Sequence, residues 1–107
     1  MDQRNLRDVV PELAAELRTL LFEIGEPSLA AQVDELVIVE RCRCGDDFCS
    51  SFYTAPRPRG PYGAGHYTVA LSPHTGMLQL DILDNQIISV EVLFRDDLKA
   101  KIHTAMP

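Results

Sequence analysis

The sequence predicts an α+β fold. An N-terminal helix and a short second helix pack on one face of a mainly antiparallel sheet of about five strands, and a short C-terminal helix closes it. Two observations carry this expectation: an apolar stripe at helical spacing in the first quarter, and three runs of alternating apolar and polar residues in the last third. With 107 residues, 46% of them hydrophobic and 24% charged, the chain is expected to form one domain, 1–107. It is long enough to bury a core without obligatory staples.

Leu6, Val9, Val10, Leu13, Leu17, Leu20, Leu21 and Ile24 recur three and four residues apart and predict one amphipathic helix from Leu6 to Ile24. Asp8 is the expected N-cap, which puts Pro11 in the first turn, where no intrahelical N–H is lost. Gly25 is the expected stop, with Pro27 beyond it. Glu12, Glu16 and Glu23 are expected to face water. A short helix capped by Ser28 and running through Leu29 and Val33 follows. The compact β-branched run Leu36-Val37-Ile38-Val39 then opens a strand continuing into Arg41-Cys42-Arg43-Cys44.

The last third reads as a meander. Tyr67, Val69 and Leu71 alternate, as do Leu78, Leu80 and Ile82, and then Ile88, Val90 and Val92. A loop at 73–76 pairs Leu71 with Leu78 and Val69 with Leu80. A three-residue loop at 84–86, with Asn85 or Gln86 left-handed, pairs Leu80 with Val90 and Ile82 with Ile88. The same register sets Asp81 opposite Ser89 and Gln79 opposite Glu91 on the wet face. Leu98 and Ile102, four apart, predict a closing helix from Asp96.

The net charge is −6, which argues against a general nucleic-acid binder or a binder of anionic membranes. No apolar run approaches the roughly 20 residues of a bilayer span, and the acidic start Met1-Asp2-Gln3 does not read as a signal peptide. Three cysteines cannot all pair within one chain, which favours a cytoplasmic setting. The charge is uneven. Residues 1–35 hold eight acids and three bases and 76–107 hold five and three, whereas 36–75 hold three acids and four bases. That middle segment also carries every cysteine.

The segment Cys42 to Thr54 is the distinctive one. Gly45-Asp46-Asp47-Phe48 makes a four-residue turn, and the hairpin it closes sets Cys44 opposite Cys49, Cys42 opposite Ser51, Glu40 opposite Tyr53 and Ile38 opposite Ala55. Alternation then places Cys42, Cys44 and Cys49 on one face with Leu36 and Ile38, and Arg41 opposite Phe52 on the other. Four readings stay open. The cysteines are small apolar residues at the end of a core face, since free cysteine is commonly buried. They form a Cys44–Cys49 link, permanent or redox-driven. They supply three ligands of a zinc site, the fourth coming from His66, His74, Asp46 or Asp47. Or one is a reactive thiol tuned by Arg41 and Arg43. The spacing C-x-C-x4-C lacks the usual C-x2-C pairs of zinc ribbons, and no Cys–His–Asn order is visible. His66, at the start of a strand, is the histidine expected nearest the cysteines; His74 is expected at a turn tip and His103 solvated on the tail.

Three prolines and three glycines between Pro56 and Gly65 mark a long connector. Its Arg57, Arg59 and His66 offer donors to an anionic or acidic partner, such as another protein, with Tyr62 as an aromatic anchor. The glycines match no phosphate-binding pattern. No catalytic residue and no cofactor fingerprint stands out.

Arg41-Cys42-Arg43-Cys44-Gly45 after a helical N-terminal third, with Gly76-Met77-Leu78-Gln79-Leu80-Asp81 leading to Ile88-Ser89-Val90-Glu91-Val92, resembles small uncharacterised bacterial proteins, a domain of unknown function, over residues 36–94. The resemblance implies a bacterial, cytoplasmic origin and no catalytic activity. The reading expected from the sequence is a small non-enzymatic binding or regulatory module, of the toxin-neutralising kind for instance. The alternatives are a zinc-stabilised domain built on Cys42, Cys44, Cys49 and His66, and a thiol redox protein.

Overall fold

The structure is a computed structural model describing residues 3–57 and 60–107. The element order is β1 (Arg4–Asn5), α1 (Leu6–Val9), α2 (Pro11–Glu23), α3 (Pro27–Gln32), a 3-10 turn (Val33–Glu35), β2 (Val37–Ile38), β3 (Glu40–Arg41), β4 (Phe52–Tyr53), β5 (His66–Leu71), β6 (Met77–Leu83), β7 (Gln86–Leu93) and α4 (Asp96–Ala105). Five strands form one antiparallel sheet in the order β3-β4-β7-β6-β5, and β1 pairs with β2 in a separate two-stranded ribbon. Helices cover one face of the sheet, so the α+β architecture is the one the periodicity predicts.

The first helix is broken where one continuous helix was expected. Val10 stands before Pro11 and takes an extended φ of −136° with ψ of 73°, because the proline ring crowds a helical conformation in the residue before it. Pro11 therefore opens α2 at its first position. Asp8 does not cap; it accepts a hydrogen bond from Asn5 Nδ2 at 3.2 Å. The second helix likewise begins at Pro27, one residue ahead of the expected cap Ser28, and no side-chain cap closes its N-terminus. Gly25, at φ +82°, takes the left-handed conformation expected of the residue ending α2. Ile24 falls off the buried stripe and is exposed.

Leu6, Val10, Leu13, Leu17 and Leu21 from the helical third meet Leu78, Leu80, Ile82, Val90 and Val92 from the sheet and Leu98 and Ile102 from α4. Each such side chain, fully withdrawn from water, contributes roughly 1.5–3 kcal/mol of transfer free energy. The pairings Leu71↔Leu78, Val69↔Leu80, Leu80↔Val90, Asp81↔Ser89 and Gln79↔Glu91 are those the alternation predicts.

The turn between β6 and β7 differs. It has two residues, Asp84 and Asn85, both left-handed at φ +51° and +67°, and Ile82 pairs with Ile87 rather than Ile88. Two left-handed residues match the right-handed twist of the flanking strands. The extra residue is taken up as an irregularity between Asp81 and Ile82, which restores the predicted register beyond it. Both Ile87 and Ile88 are buried in consequence.

The strand predicted from Leu36 into the cysteines is also interrupted. Val37–Ile38 pairs with β1, whereas Glu40–Arg41 pairs with β4, so the chain changes partner at Val39. Ile38 is in the core, whereas Glu40, two residues on, lies opposite Tyr53 on the other face, and Arg41 takes the core side opposite Phe52.

Glu16, expected in solvent, is half-buried against Arg95. The Arg95 guanidinium donates to both Glu16 carboxylate oxygens at 2.9 Å, to Asp97 at 3.1 and 3.2 Å, and to the Thr75 carbonyl at 3.4 Å. This cluster ties α2, the β5–β6 turn and the start of α4 together. His103 is half-buried rather than solvated, with its Nε2 buried and unpartnered among the described residues. Burial first, then the charges of Arg41, Lys99 and Arg43, hold its pKa below the ordinary value.

Glu16→Ala leaves the Arg95 charge, whose side chain is 9% exposed, with Asp97 alone. The expected cost is about 1–3 kcal/mol, because an arginine stripped of its less exposed partner keeps only part of its compensation. Urea unfolding measures it; an unchanged midpoint would assign Arg95 no structural role.

Candidate metal centre

The hairpin that carries the cysteines has the predicted register from Glu40 on, whereas Ile38, expected opposite Ala55, pairs with Arg4 instead. Glu40 pairs with Tyr53 and Arg41 with Phe52, and the Cys42 amide donates to the Ser51 carbonyl at 2.8 Å. The turn closes through the Cys49 amide on the Asp46 carbonyl at 3.2 Å. On its other side β4 pairs with β7 through Phe52↔Val90 and Tyr53↔Ser89, and Cys49 bridges to Leu93.

These pairings decide the faces. Phe52 is buried among the core residues under the helices, and Arg41 and Arg43 reach to the same side, donating to the Met106 carbonyl at 2.7 Å and the Pro107 carbonyl at 2.9 Å. The thiols take the opposite face, that of Tyr53, Ser89, Asp81 and Glu91. The expectation that they share a face with Leu36 and Ile38 is therefore corrected. The change of partner at Val39 puts Ile38 in the core and the thiols outside it.

The sulfur atoms of Cys42, Cys44 and Cys49 all lie within 4.8 Å of one another, and the three cysteines are free. Among the described residues no histidine or carboxylate joins them at that range. Cys44 is exposed, Cys42 half-buried and Cys49 buried. Burial opposes ionisation of Cys49, but the hydroxyl and amide of Ser51 and the thiols of Cys44 and Cys42 outweigh it and lower its pKa. The Asp46 amide favours ionisation of Cys44, yet its bonds to Cys49 and Cys42 push that thiol up to about 11. Ionisation is thus easier at Cys49 than at Cys44.

A cavity of about 480 Å³ opens beside the trio and runs over the outer face, where Asp81, Ser89, Gln79, Glu91 and Tyr62 line it. His66, the predicted fourth ligand, borders this region with a different partner. Its Nε2 lies 2.9 Å from Asp81 Oδ1, and since an ionised carboxylate only accepts, Nε2 carries the proton. Ser89 Oγ donates to the other carboxylate oxygen at 2.6 Å. Tyr62 lies back on the sheet, its ring stacked on His66 at 4.4 Å between centroids, and burial followed by the Asp81 charge raises its phenol pKa. Nothing in the residue spacing announces this Tyr62–His66–Asp81–Ser89 chain. The Asp81–Ser89 half was legible in the meander register.

Of the other predicted residues, Asp46 lines the same cavity and the Asp47 carbonyl accepts a hydrogen bond from Lys99. His74 is exposed at its turn and borders a separate cavity beside α2. Arg57 bridges Glu40 at 2.8 Å and lies over the Tyr53 ring at 4.9 Å. Arg59 lies outside the described residues. The rim of the centre is aromatic: Phe48 and Phe94, both exposed, stack at 5.0 Å. Phe94 is left-handed at φ +60°, unusual for a bulky residue, and its amide donates to the Phe48 carbonyl at 2.8 Å, which holds that conformation.

Compared with protein-family models, with curated proteins and with solved structures, the chain matches none. No helix among the described residues is long and apolar enough to cross a membrane.

The opposed shifts of Cys49 and Cys44 predict a split thiol titration in metal-free protein. Ultraviolet thiolate absorbance should rise first below the ordinary thiol pKa, as Cys49 ionises, and again near pH 11, as Cys44 does. Three thiols ionising together at the ordinary value would show that they do not interact.

Proposed function

We propose that this protein is a small non-enzymatic module that binds a thiophilic metal ion, zinc in the first place, through Cys42, Cys44 and Cys49. The observation that carries the reading is the gathering of three sulfurs within 4.8 Å. Zinc–thiolate bonds of about 2.3 Å place tetrahedral sulfurs roughly 3.8 Å apart, so the trio needs to contract by an ångström or less. The lowered pKa of Cys49 suits it as well, because a thiol disposed to ionise yields its proton to a cation more readily.

The metal is a functional ligand on a finished scaffold, not the domain's structural staple. The apolar cluster under the sheet contains none of the three cysteines, and the trio lies on the opposite face. This departs from small zinc domains that unfold without their ion. The bacterial and cytoplasmic setting is part of the same proposal.

A second reading is a thiol redox protein. What favours it is exposed Cys44 beside Cys49: an oxidant that accepts two electrons and two protons would convert the pair to a disulfide. Thiol counting before and after mild oxidant separates the readings, since a loaded metal centre protects the thiols and a redox pair loses two.

The test is elemental analysis of protein purified without a metal-affinity tag. About one zinc per chain is expected, and less than about 0.1 would sink the proposal. Cys44→Ser should abolish stoichiometric loading while leaving the metal-free unfolding midpoint essentially unchanged, because Cys44 is exposed.

A further inference from the structure

All three thiols border the outer-face cavity, and among the described residues no fourth donor of the chain stands at their range. A divalent ion held by three thiolates carries a net charge of −1. The carboxylates of Asp46, Asp81 and Glu91 line the same cavity, and no lysine or arginine among the described residues does. Among the described residues Arg41 and Arg43 donate to the carbonyls of Met106 and Pro107, and Arg57 bridges Glu40 and lies over the Tyr53 ring. An anionic fourth ligand entering through that cavity meets three carboxylates, while the arginines border Cys42 and Cys44 from a separate cavity that they share with Glu40. A neutral nitrogen donor is not repelled by those carboxylates.

The lining also selects among nitrogen donors. An imidazole bound through one nitrogen needs an acceptor for the N–H of the other, and metal-bound imidazoles usually give it to a carboxylate. Asp81 is committed to His66 and Ser89. Glu91, exposed and directly opposite Gln79 in the sheet, is a free acceptor among the described contacts. The Phe48–Phe94 stack at the rim offers a flat apolar surface to a planar ring or to the residues beside it.

We propose that the fourth coordination position takes an imidazole from outside the chain, with Glu91 accepting its second N–H. The proposal rests on the metal reading above. The ligand adds a nitrogen lone pair to the metal and displaces a water; no electrons are transferred.

The experiment uses the full chain loaded with cobalt(II), whose thiolate charge-transfer and d–d absorption report on the ligand sphere. If equimolar cobalt gives no thiolate charge transfer, the metal reading falls and this inference falls with it. Once cobalt is loaded, imidazole should shift the d–d bands saturably, at concentrations at least about tenfold lower than acetate or 2-mercaptoethanol. Glu91→Gln should weaken imidazole binding about tenfold. Bands that ignore imidazole, or that respond better to thiol or acetate, overturn the proposal and leave the metal reading standing. So does a change in the bands of ligand-free Asp46→Asn protein, since a carboxylate of the chain would then occupy the position. A blocked Leu-His-Leu peptide distinguishes the source. Binding tighter than free imidazole supports a histidine of a partner protein, and equal binding supports a small imidazole compound.

Discussion

Strand β7 is the one element whose register everything else inherits. It is paired on both sides, with β6 over most of its length and with β4 through Phe52↔Val90 and Tyr53↔Ser89. A slip of one residue would exchange its faces, bringing Ser89 and Glu91 under the helices and Val90 and Val92 into water. The two-residue turn at Asp84 and Asn85, with the irregularity that follows it, fixes that register from one end. The Cys49–Leu93 bridge and the Phe94 amide bond to Phe48 fix it from the other. The thiol trio stands where it does because β4 is hung on a strand that cannot move.

The division of labour between the faces follows. The helices use up one face for burial, and the alternation of the strands delivers polar and reactive groups to the other without disturbing the core. On that outer face the chain assembles the three thiols, the Asp81 carboxylate with its two donors, and an aromatic rim. A cavity of this polarity is costly in a protein interior but cheap on an open sheet face, where water solvates whatever the protein leaves unpaired.

Much of this was legible in the residues. The meander register followed from requiring apolar residues to share a face, a strong constraint because a slip inverts every side chain. The hairpin register followed from a turn with the right composition. The α+β class followed from two distinct periods. What was not legible depended on local competition. Val10 yields its helical conformation to the ring of Pro11, which splits the first helix. The turn after β6 prefers two left-handed residues and pushes the surplus residue into the strand. The partner change at Val39 leaves no mark in composition, yet it reverses the face on which the cysteines fall. Sequence alternation holds only while a strand keeps its partner. Glu16 looked like a solvated charge on a helix surface until Arg95, seventy-nine residues on, placed a guanidinium against it.

The stretch Arg41-Cys42-Arg43-Cys44 behaves as a lever with a grip on each side of the sheet. Its odd positions grasp the carbonyls of Met106 and Pro107 at the end of α4, and its even positions hold the sulfurs. Four consecutive residues cannot shift their backbone on one side and stay still on the other. The hold on the carbonyls of Met106 and Pro107 and the placing of the sulfurs are thus two loads on one short piece of backbone.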